Sequence, residues 1–193
     1  MQITGPALIT FSGPPGLGKT TLGRKVAELC GVRFVDHEIH CRVPFFGPGH
    51  PDPDAAPEVR QRFNIMQATA YDVLFAVVDA HLDLGLPIVV SATFVSERSQ
   101  KTLASLAEKK VGTRFAAFFC WSNADTDEAV LERLAGRTFG RDYFGGVNDL
   151  KSYREQKARW KFGPMFPYLV LDTFTLSVDE CVAEAIRYIT ARQ

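Results

Sequence analysis

The segment Gly13-Pro-Pro-Gly-Leu-Gly18-Lys19-Thr20 meets every fixed position of the spacing G-x-x-x-x-G-K-[ST]. Glycines at these positions let successive backbone N–H groups turn inward around a phosphate. A helix that starts at the same place adds its partially positive end. Gly13, Pro14, Pro15, Gly16, Leu17, Gly18, Lys19, Thr20 and Thr21 are therefore candidate contacts for a nucleoside triphosphate. Lys19 can reach the β and γ phosphates as a point charge, and the Thr20 hydroxyl can ligate Mg²⁺.

A second group follows at Asp36-His37-Glu38, where a short apolar run stops. Carboxylates at the C-terminal edge of a sheet strand stand where open α/β sheets bind their ligands. Asp36 could accept a proton from an attacking hydroxyl or hold Mg²⁺, and Glu38 could help bind the acceptor. His37 and His40 have no identifiable partner and are read as bystanders. Where a third-strand acid is often found, this chain has Ser91 in Pro87-Ile-Val-Val-Ser91-Ala-Thr93. Mg²⁺ would then rest on Thr20 and Asp36. Arg133, Arg137 and Arg141 recur every fourth residue and would share one helix face, where arginines can stabilise charge during transfer. Arg60 and Arg62 follow a proline-rich stretch, and either could bind an anionic acceptor group.

The elements that must position these groups alternate between strand and helix. Apolar runs at Ala7–Phe11, Arg33–Val35, Pro87–Val90, Arg114–Trp121 and Tyr168–Leu171 read as five strands. Helical spacing covers Thr20–Cys30, Glu58–Leu84, Ser96–Lys110, a segment from Asp125 through Leu134, about 149–161, and the stretch after Ser177. Asp125-x-x-Glu128 and Ser177-x-x-Glu180 read as capping boxes. In the long helix, Val59, Phe63, Met66, Ala70, Val73, Val77 and Leu84 form the expected inward stripe. Residues 42–57 hold five prolines and two glycines and read as an irregular loop. Residues 136–147, rich in Gly and Arg, read as a mobile segment. Strands alternating with helices make a parallel sheet with right-handed crossovers.

The 193 residues carry 22 Lys+Arg and 22 Asp+Glu, a formal net charge of zero. That balance disfavours a duplex-DNA binder, which needs a basic excess to displace counterions. The charge is uneven, however: residues 133–161 hold eight basic residues against three acids, a local +5. Four scattered cysteines without a CxxC pair read as reduced, buried thiols. There is no signal-peptide pattern and no apolar run of about 20 residues, so the chain reads as soluble and cytoplasmic.

These residues resemble the small P-loop kinases related to nucleoside-monophosphate kinases, in particular the zeta-toxin-like, chloramphenicol-phosphotransferase-like and gluconate-kinase-like branches. The resemblance rests on Gly13–Thr21, Asp36-x-Glu38, Val90-Ser-Ala-Thr-Phe94, Leu131–Arg137 and Leu171-Asp172-Thr173. It implies a single three-layer α/β domain over 1–193. Its five-stranded parallel sheet would be ordered 2-3-1-4-5, with helices on both faces, an acceptor-side loop at about 42–57 and a small lid at about 136–161. It implies ATP and Mg²⁺ as cofactors, and γ-phosphoryl transfer to a small-molecule hydroxyl acceptor such as a sugar acid, nucleoside, nucleotide sugar or antibiotic. By the same resemblance Lys19, Asp36 and Arg137 would be catalytic. Arg133, Arg137 and Thr173 would lie by the nucleotide, and Asp36, Glu38, Arg60 and Thr93 by the acceptor. Two rivals stay open: an ATPase or nucleotide switch acting on a partner, and a polynucleotide 5′-hydroxyl kinase.

Overall fold

The computed structural model describes residues 2–47, 51, 55–110, 112–135, 149–160 and 166–191. Five strands form one sheet: β1 (Ala7–Ser12), β2 (Arg33–Asp36), β3 (Pro87–Ser91), β4 (Arg114–Trp121) and β5 (Leu169–Asp172). All pair in parallel, in the order β2-β3-β1-β4-β5. The architecture is the α/β one expected from the alternating pattern.

Helices α1 (Lys19–Cys30), α2 (Val43–Phe46), α3 (Pro57–Asp83), α4 (Glu97–Lys109), α5 (Asp127–Ala135), α6 (Leu150–Lys157) and α7 (Val178–Thr190) connect or flank the strands. β1 is buried at all six positions because both of its faces are covered. Alternate side chains go to opposite layers. Ile9 and Phe11 join Leu22 and Val26 of α1 and Val182 and Ile189 of α7. Leu8 joins Leu74 and Val78 of α3 and Leu103 of α4 on the other face. All four cysteines are buried free thiols. Burial pushes the Cys41 thiol up to about 11 and the Cys120 thiol up to about 12, which leaves both unreactive.

Three expectations need correction. The segment read as an irregular loop, 42–57, opens with regular structure: a π-type turn spans His37–Arg42 and α2 follows, while 48–50 and 52–54 lie outside the described residues. Pro44 does not prevent α2 because it sits in the first helical turn, where no intrahelical N–H bond is required of it. In α3 the buried residues are Ala70, Leu74, Phe75, Val78 and Leu82, while Val59 and Leu84 are exposed. The cause is length. Its 27 residues extend about 40 Å at about 1.5 Å per residue, more than twice the reach of a five-residue strand. Only the C-terminal half can lie on the sheet; the first half stands beyond the strand ends. Finally, α5 opens at Asp127 after a 3₁₀ turn over Ala124–Thr126, not from a cap at Asp125.

The box at the start of α7 is present. Glu180 N–H donates to Ser177 Oγ, and Ser177 N–H donates to Glu180 Oε2 at 2.8 Å. Ser177→Ala is expected to cost about 1 kcal/mol and to lower Tm by a few degrees. Nucleotide affinity should not change, because the start of α7 meets the body of α1, where Asp179 pairs with Lys25 at 2.9 Å, and Ser177 does not line the cavity beside the loop. Thermal melts with and without nucleotide check both parts.

Candidate active site

Between β1 and α1 the chain turns through Gly13 to Gly18. Gly13 has φ 131°, and a Cβ there would stand 2.3 Å from the Cys120 carbonyl oxygen. Only glycine lets the loop pass this close to β4. Gly16, at φ 81°, would drive a Cβ to 2.5 Å from Val130 Cγ1 of α5. Leu17 is fully buried and anchors the loop from beneath. Lys19 arches back over the loop, its Nζ donating to the Pro14 carbonyl at 2.7 Å.

β2 brings Asp36 to the same place. Its register partner across the ladder is Ser91, at the end of β3. Asp36 Oδ2 accepts from the Thr20 hydroxyl at 2.8 Å and also from the Ser91 hydroxyl. Oδ1 accepts from the N–H groups of Glu38 (2.9 Å) and Ile39 (3.0 Å), which caps the π-type turn. Ser91 thus does not replace a third-strand acid; it supports the acid that the neighbouring strand supplies. Asp36 N–H in turn donates to His40 Nδ1 at 2.8 Å. Glu38 pairs with Arg42, whose Nε donates to Oε1 at 2.7 Å. Arg42 is almost fully buried and also donates to the Gly47 carbonyl.

A cavity of about 1020 Å³ runs from the phosphate loop to the wall formed by the first half of α3. Pro15, Gly16, Lys19, Thr20 and Thr21 line one end; Glu38, Gln67, Tyr71 and Thr93 line the other, with Asp36 and His37 also on its wall. Tyr71 OH and Thr93 Oγ1 share a hydrogen bond at 3.0 Å, and Phe94 N–H donates to Tyr71 OH at 3.2 Å. Phe94 holds φ 43°, a left-handed backbone uncommon for a bulky residue. The Gln100 side-chain amide donates to the Phe94 carbonyl and fixes that turn. The His37 ring stacks on Tyr71 with centroids 4.0 Å apart. Burial pushes its pKa down to about 4, against the pull of Asp36 and the Gln67 carbonyl, so the imidazole is neutral at neutral pH.

The other sequence candidates separate. Arg133 and Thr173 sit on the β5 side of the loop, away from the cavity lining. The Arg133 guanidinium lies 3.7 Å over the Phe174 ring, and its Nη1 donates to the Thr173 carbonyl at 3.4 Å. A Cβ on Gly18 would come within 4.0 Å of Thr173 Cγ2, which places this pair beside the start of α1. Arg60 is exposed and is not part of the cavity wall. Among the described residues the arginines that do line it are Arg24, Arg98 and Arg159. Spacing alone did not reveal these, because they come from three separate elements. Arg137 and Arg141 lie outside the described residues. Trp121 packs in the aromatic cluster with Phe119. Phe45 is exposed, and Phe45 and Phe46 do not line the cavity.

The donor set suits Mg²⁺. A hydroxyl and a carboxylate, both hard oxygen donors, converge from Thr20 and Asp36 beside the loop. Among the described residues no cluster of three His, Cys, Asp or Glu could form an all-protein cage.

A 2-3-1-4-5 parallel sheet with this loop at the end of its central strand defines a P-loop domain of the small-kinase type. The AAA domain family AAA_33 matches residues 8–152, most of the chain, and the chain belongs to that family. Among solved structures it is similar to a kinase-like protein from Chloroflexus aurantiacus (20% identity, TM-score 0.71, 99% of this chain and 100% of that one). It is also similar to a gluconokinase from Sinorhizobium meliloti (18%, TM-score 0.63, 98% and 94%). A third is shikimate kinase from Acinetobacter baumannii in complex with shikimate (16%, TM-score 0.66, 98% and 96%). Curated relatives match over short segments only. Lon protease of Mycoplasma mycoides is 56% identical over 34 residues (18% of this chain, 4% of that protein). Cytidylate kinase of Nitratidesulfovibrio vulgaris is 41% identical over 51 residues (25% of this chain, 22% of that protein). The chain thus spans less than a quarter of either. No described helix is long and apolar enough to cross a membrane.

Proposed function

We propose that the chain is a kinase that transfers the γ-phosphate of ATP to a hydroxyl of a small-molecule acceptor. One observation carries this reading: the phosphate loop and the Tyr71–Thr93 wall share a single cavity. An enzyme that only hydrolysed nucleotide would need room for a water beside the γ-phosphate. This cavity, about 1020 Å³, is far larger than one water beside the loop requires.

In this reading Lys19 and the loop amides hold the phosphates. Thr20 and Asp36 would hold Mg²⁺, which when bound offsets charge on the phosphate oxygens. The acceptor oxygen bonds to the γ-phosphorus as the bond to the β–γ bridging oxygen breaks, and ADP leaves. The acceptor proton ends on a phosphoryl oxygen or on a cavity base. With both Asp36 oxygens already accepting hydrogen bonds, the geometry favours the metal-side role of Asp36 over that of base. Arg133 and Thr173 would border the nucleotide base, Arg137 would close on the transferring group, and Glu38 and Thr93 would contact the acceptor. Arg24, Arg98 and Arg159 suit an acceptor bearing an anionic group better than exposed Arg60 does. Hydroxy acids, the class to which gluconate and shikimate belong, are therefore the first acceptors to test.

The test is a mass-spectrometric screen for phosphate transfer from ATP over sugar acids, shikimate, nucleosides, nucleotide sugars, simple alcohols and hydroxylated antibiotics. A mass gain of one phosphoryl group on one acceptor class is expected. Unchanged ATP hydrolysis with no labelled acceptor across the panel would overturn the reading in favour of an ATPase.

A further inference from the structure

β2 is the outermost strand on its side of the sheet and pairs with β3 alone. Along its open edge runs a second cavity, a groove of about 670 Å³ between the body of α1 and the turn from α3 into β3. Among the described residues Arg24 alone lines both this groove and the main cavity. Arg24 comes from α1 and Arg33 from β2, and both side chains are exposed. Neither guanidinium makes a hydrogen bond or an ion pair among the described residues. Glu28 lines the groove one turn on from Arg24, yet the two are not paired. Arg24 instead lies over the Phe34 ring, 5.9 Å from its centroid. Phe34 is fixed there, because its ring packs so closely on Gly23 that a Cβ would stand 2.8 Å from it. His40 and His81 line the groove too. Each has Nδ1 engaged, by the Asp36 N–H at 2.8 Å and the Val77 carbonyl at 2.9 Å, so Nε2 is the nitrogen either can offer.

Two unpaired guanidiniums on one groove repel each other, and an anion between them removes that repulsion. The planar fork of arginine matches phosphate and carboxylate oxygens two at a time. A phosphate monoester suits this groove better than a carboxylate. It presents three terminal oxygens to donors that arrive from separate elements, where a carboxylate presents two. It also carries an organic body, and the rest of the lining is apolar: Ala27, Val32, Leu86 and Pro87. Leu86 is 47% exposed, so that lining is left uncovered by the fold itself.

We propose that the groove at the β2 edge binds a small phosphate monoester through Arg24 and Arg33, and that this ligand competes for Arg24 with the acceptor in the main cavity. One guanidinium cannot serve both cavities at once, so filling the groove weakens acceptor binding and, reciprocally, the acceptor weakens the groove. The groove as a binding site is independent of the kinase reading. The competition rests on that reading, under which a phosphate monoester is the class of the enzyme's own product and the groove a place for feedback.

The probe is phenyl phosphate, with inorganic phosphate beside it to separate the anion from its organic body. Each is titrated calorimetrically into protein saturated with Mg²⁺ and a non-hydrolysable ATP analogue, so that the phosphate loop is filled. Wild type, Arg33→Gln and Arg98→Gln are compared, because Arg33 lines the groove alone and Arg98 the main cavity alone. Wild type is expected to bind phenyl phosphate more tightly than inorganic phosphate. Arg33→Gln should weaken phenyl phosphate by about 10-fold, and Arg98→Gln should leave it unchanged. No binding in the millimolar range would overturn the site. So would weakening in Arg98→Gln but not in Arg33→Gln, which places the probe in the main cavity. Equal affinity for the two probes would overturn the assignment to an ester. In the kinetic arm, phenyl phosphate should raise the acceptor KM of wild type and not that of Arg33→Gln, whose transfer without the probe matches wild type. Groove binding with an unmoved KM would overturn the competition. If no acceptor in the wider panel is phosphorylated, the kinase reading falls and the competition with it, while the titrations still decide the groove.

Discussion

Replacing Asp36 by asparagine is expected to lower acceptor-dependent transfer by about 100- to 1000-fold while changing stability by only about 1 kcal/mol. The two effects separate because the side chain has two jobs. As a cap, the asparagine would keep a carbonyl oxygen for the N–H groups of Glu38 and Ile39. On the other side its NH₂ would face the Thr20 and Ser91 hydroxyls, which can rotate from donor to acceptor. The local fold therefore has a satisfied alternative. The charge has none: no other carboxylate contacts Thr20 among the described residues.

The measurement is kcat and kcat/KM at several Mg²⁺ concentrations beside a thermal melt. Activity that falls and partly returns at high Mg²⁺ is the expected signature of a metal-side carboxylate. Full transfer activity in Asp36→Asn would end both proposed roles for this residue, metal holder and base. A large drop in Tm instead would mean that its main task is to cap the turn.

What the sequence shows and what it hides divides by distance along the chain. The phosphate loop was legible because its chemistry is packed into eight consecutive residues, and the ends of β1 and α1 mark its borders. Asp36 was legible because it stops an apolar run. Ser91 was visible as a missing acid, but its pairing with Asp36 needs the β2–β3 register, which spans 55 residues. His37 read as a bystander because its partner Tyr71 lies on a helix more than 30 residues later. Periodicity identified α3 but misjudged its inward face. A 3.6-residue pattern cannot tell that half the helix overhangs the sheet and turns Phe63, Gln67 and Tyr71 toward the cavity. The proline-rich stretch misled in the opposite sense, since Pro44 looks like a breaker until it is known to occupy a first turn. Spacing pointed to Arg133, Arg137 and Arg141, the last two outside the described residues, and a place after the prolines pointed to Arg60; the described arginines that line the cavity, Arg24, Arg98 and Arg159, come from unrelated elements.

The same long-range logic predicts the largest stability effect, at a pair no spacing rule suggested. Asp127 opens α5 and is buried, and its Oδ1 accepts from Lys157 Nζ at 2.6 Å. Lys157, the last residue of α6, is buried too. It also donates to the Asn123 carbonyl at 3.3 Å and lies 4.9 Å over the Trp121 ring. Arg154 adds a contact to Asp127 Oδ2 at 3.2 Å from a more exposed position. Removing one partner leaves the other charged, buried and unpaired. Asp127→Ala is therefore expected to cost about 3–5 kcal/mol. Replacing both charges by apolar groups of similar size removes the penalty as well as the attraction. The double variant Asp127→Leu with Lys157→Met should accordingly recover most of the loss. Denaturant melts of Asp127→Leu, Lys157→Met and their double variant close the cycle, with Asp127→Ala measured beside them. If Asp127→Ala costs under about 1 kcal/mol, the pair behaves as a solvent-screened surface bridge and its burial is irrelevant. If the double variant is as unstable as the worse single one, packing rather than charge holds α5 to α6. The pair also bears on the site, because Arg159 and Trp160 follow Lys157 directly into the cavity wall. Asp127→Ala should therefore raise the acceptor KM, since it loosens the cavity wall that Arg159 and Trp160 supply.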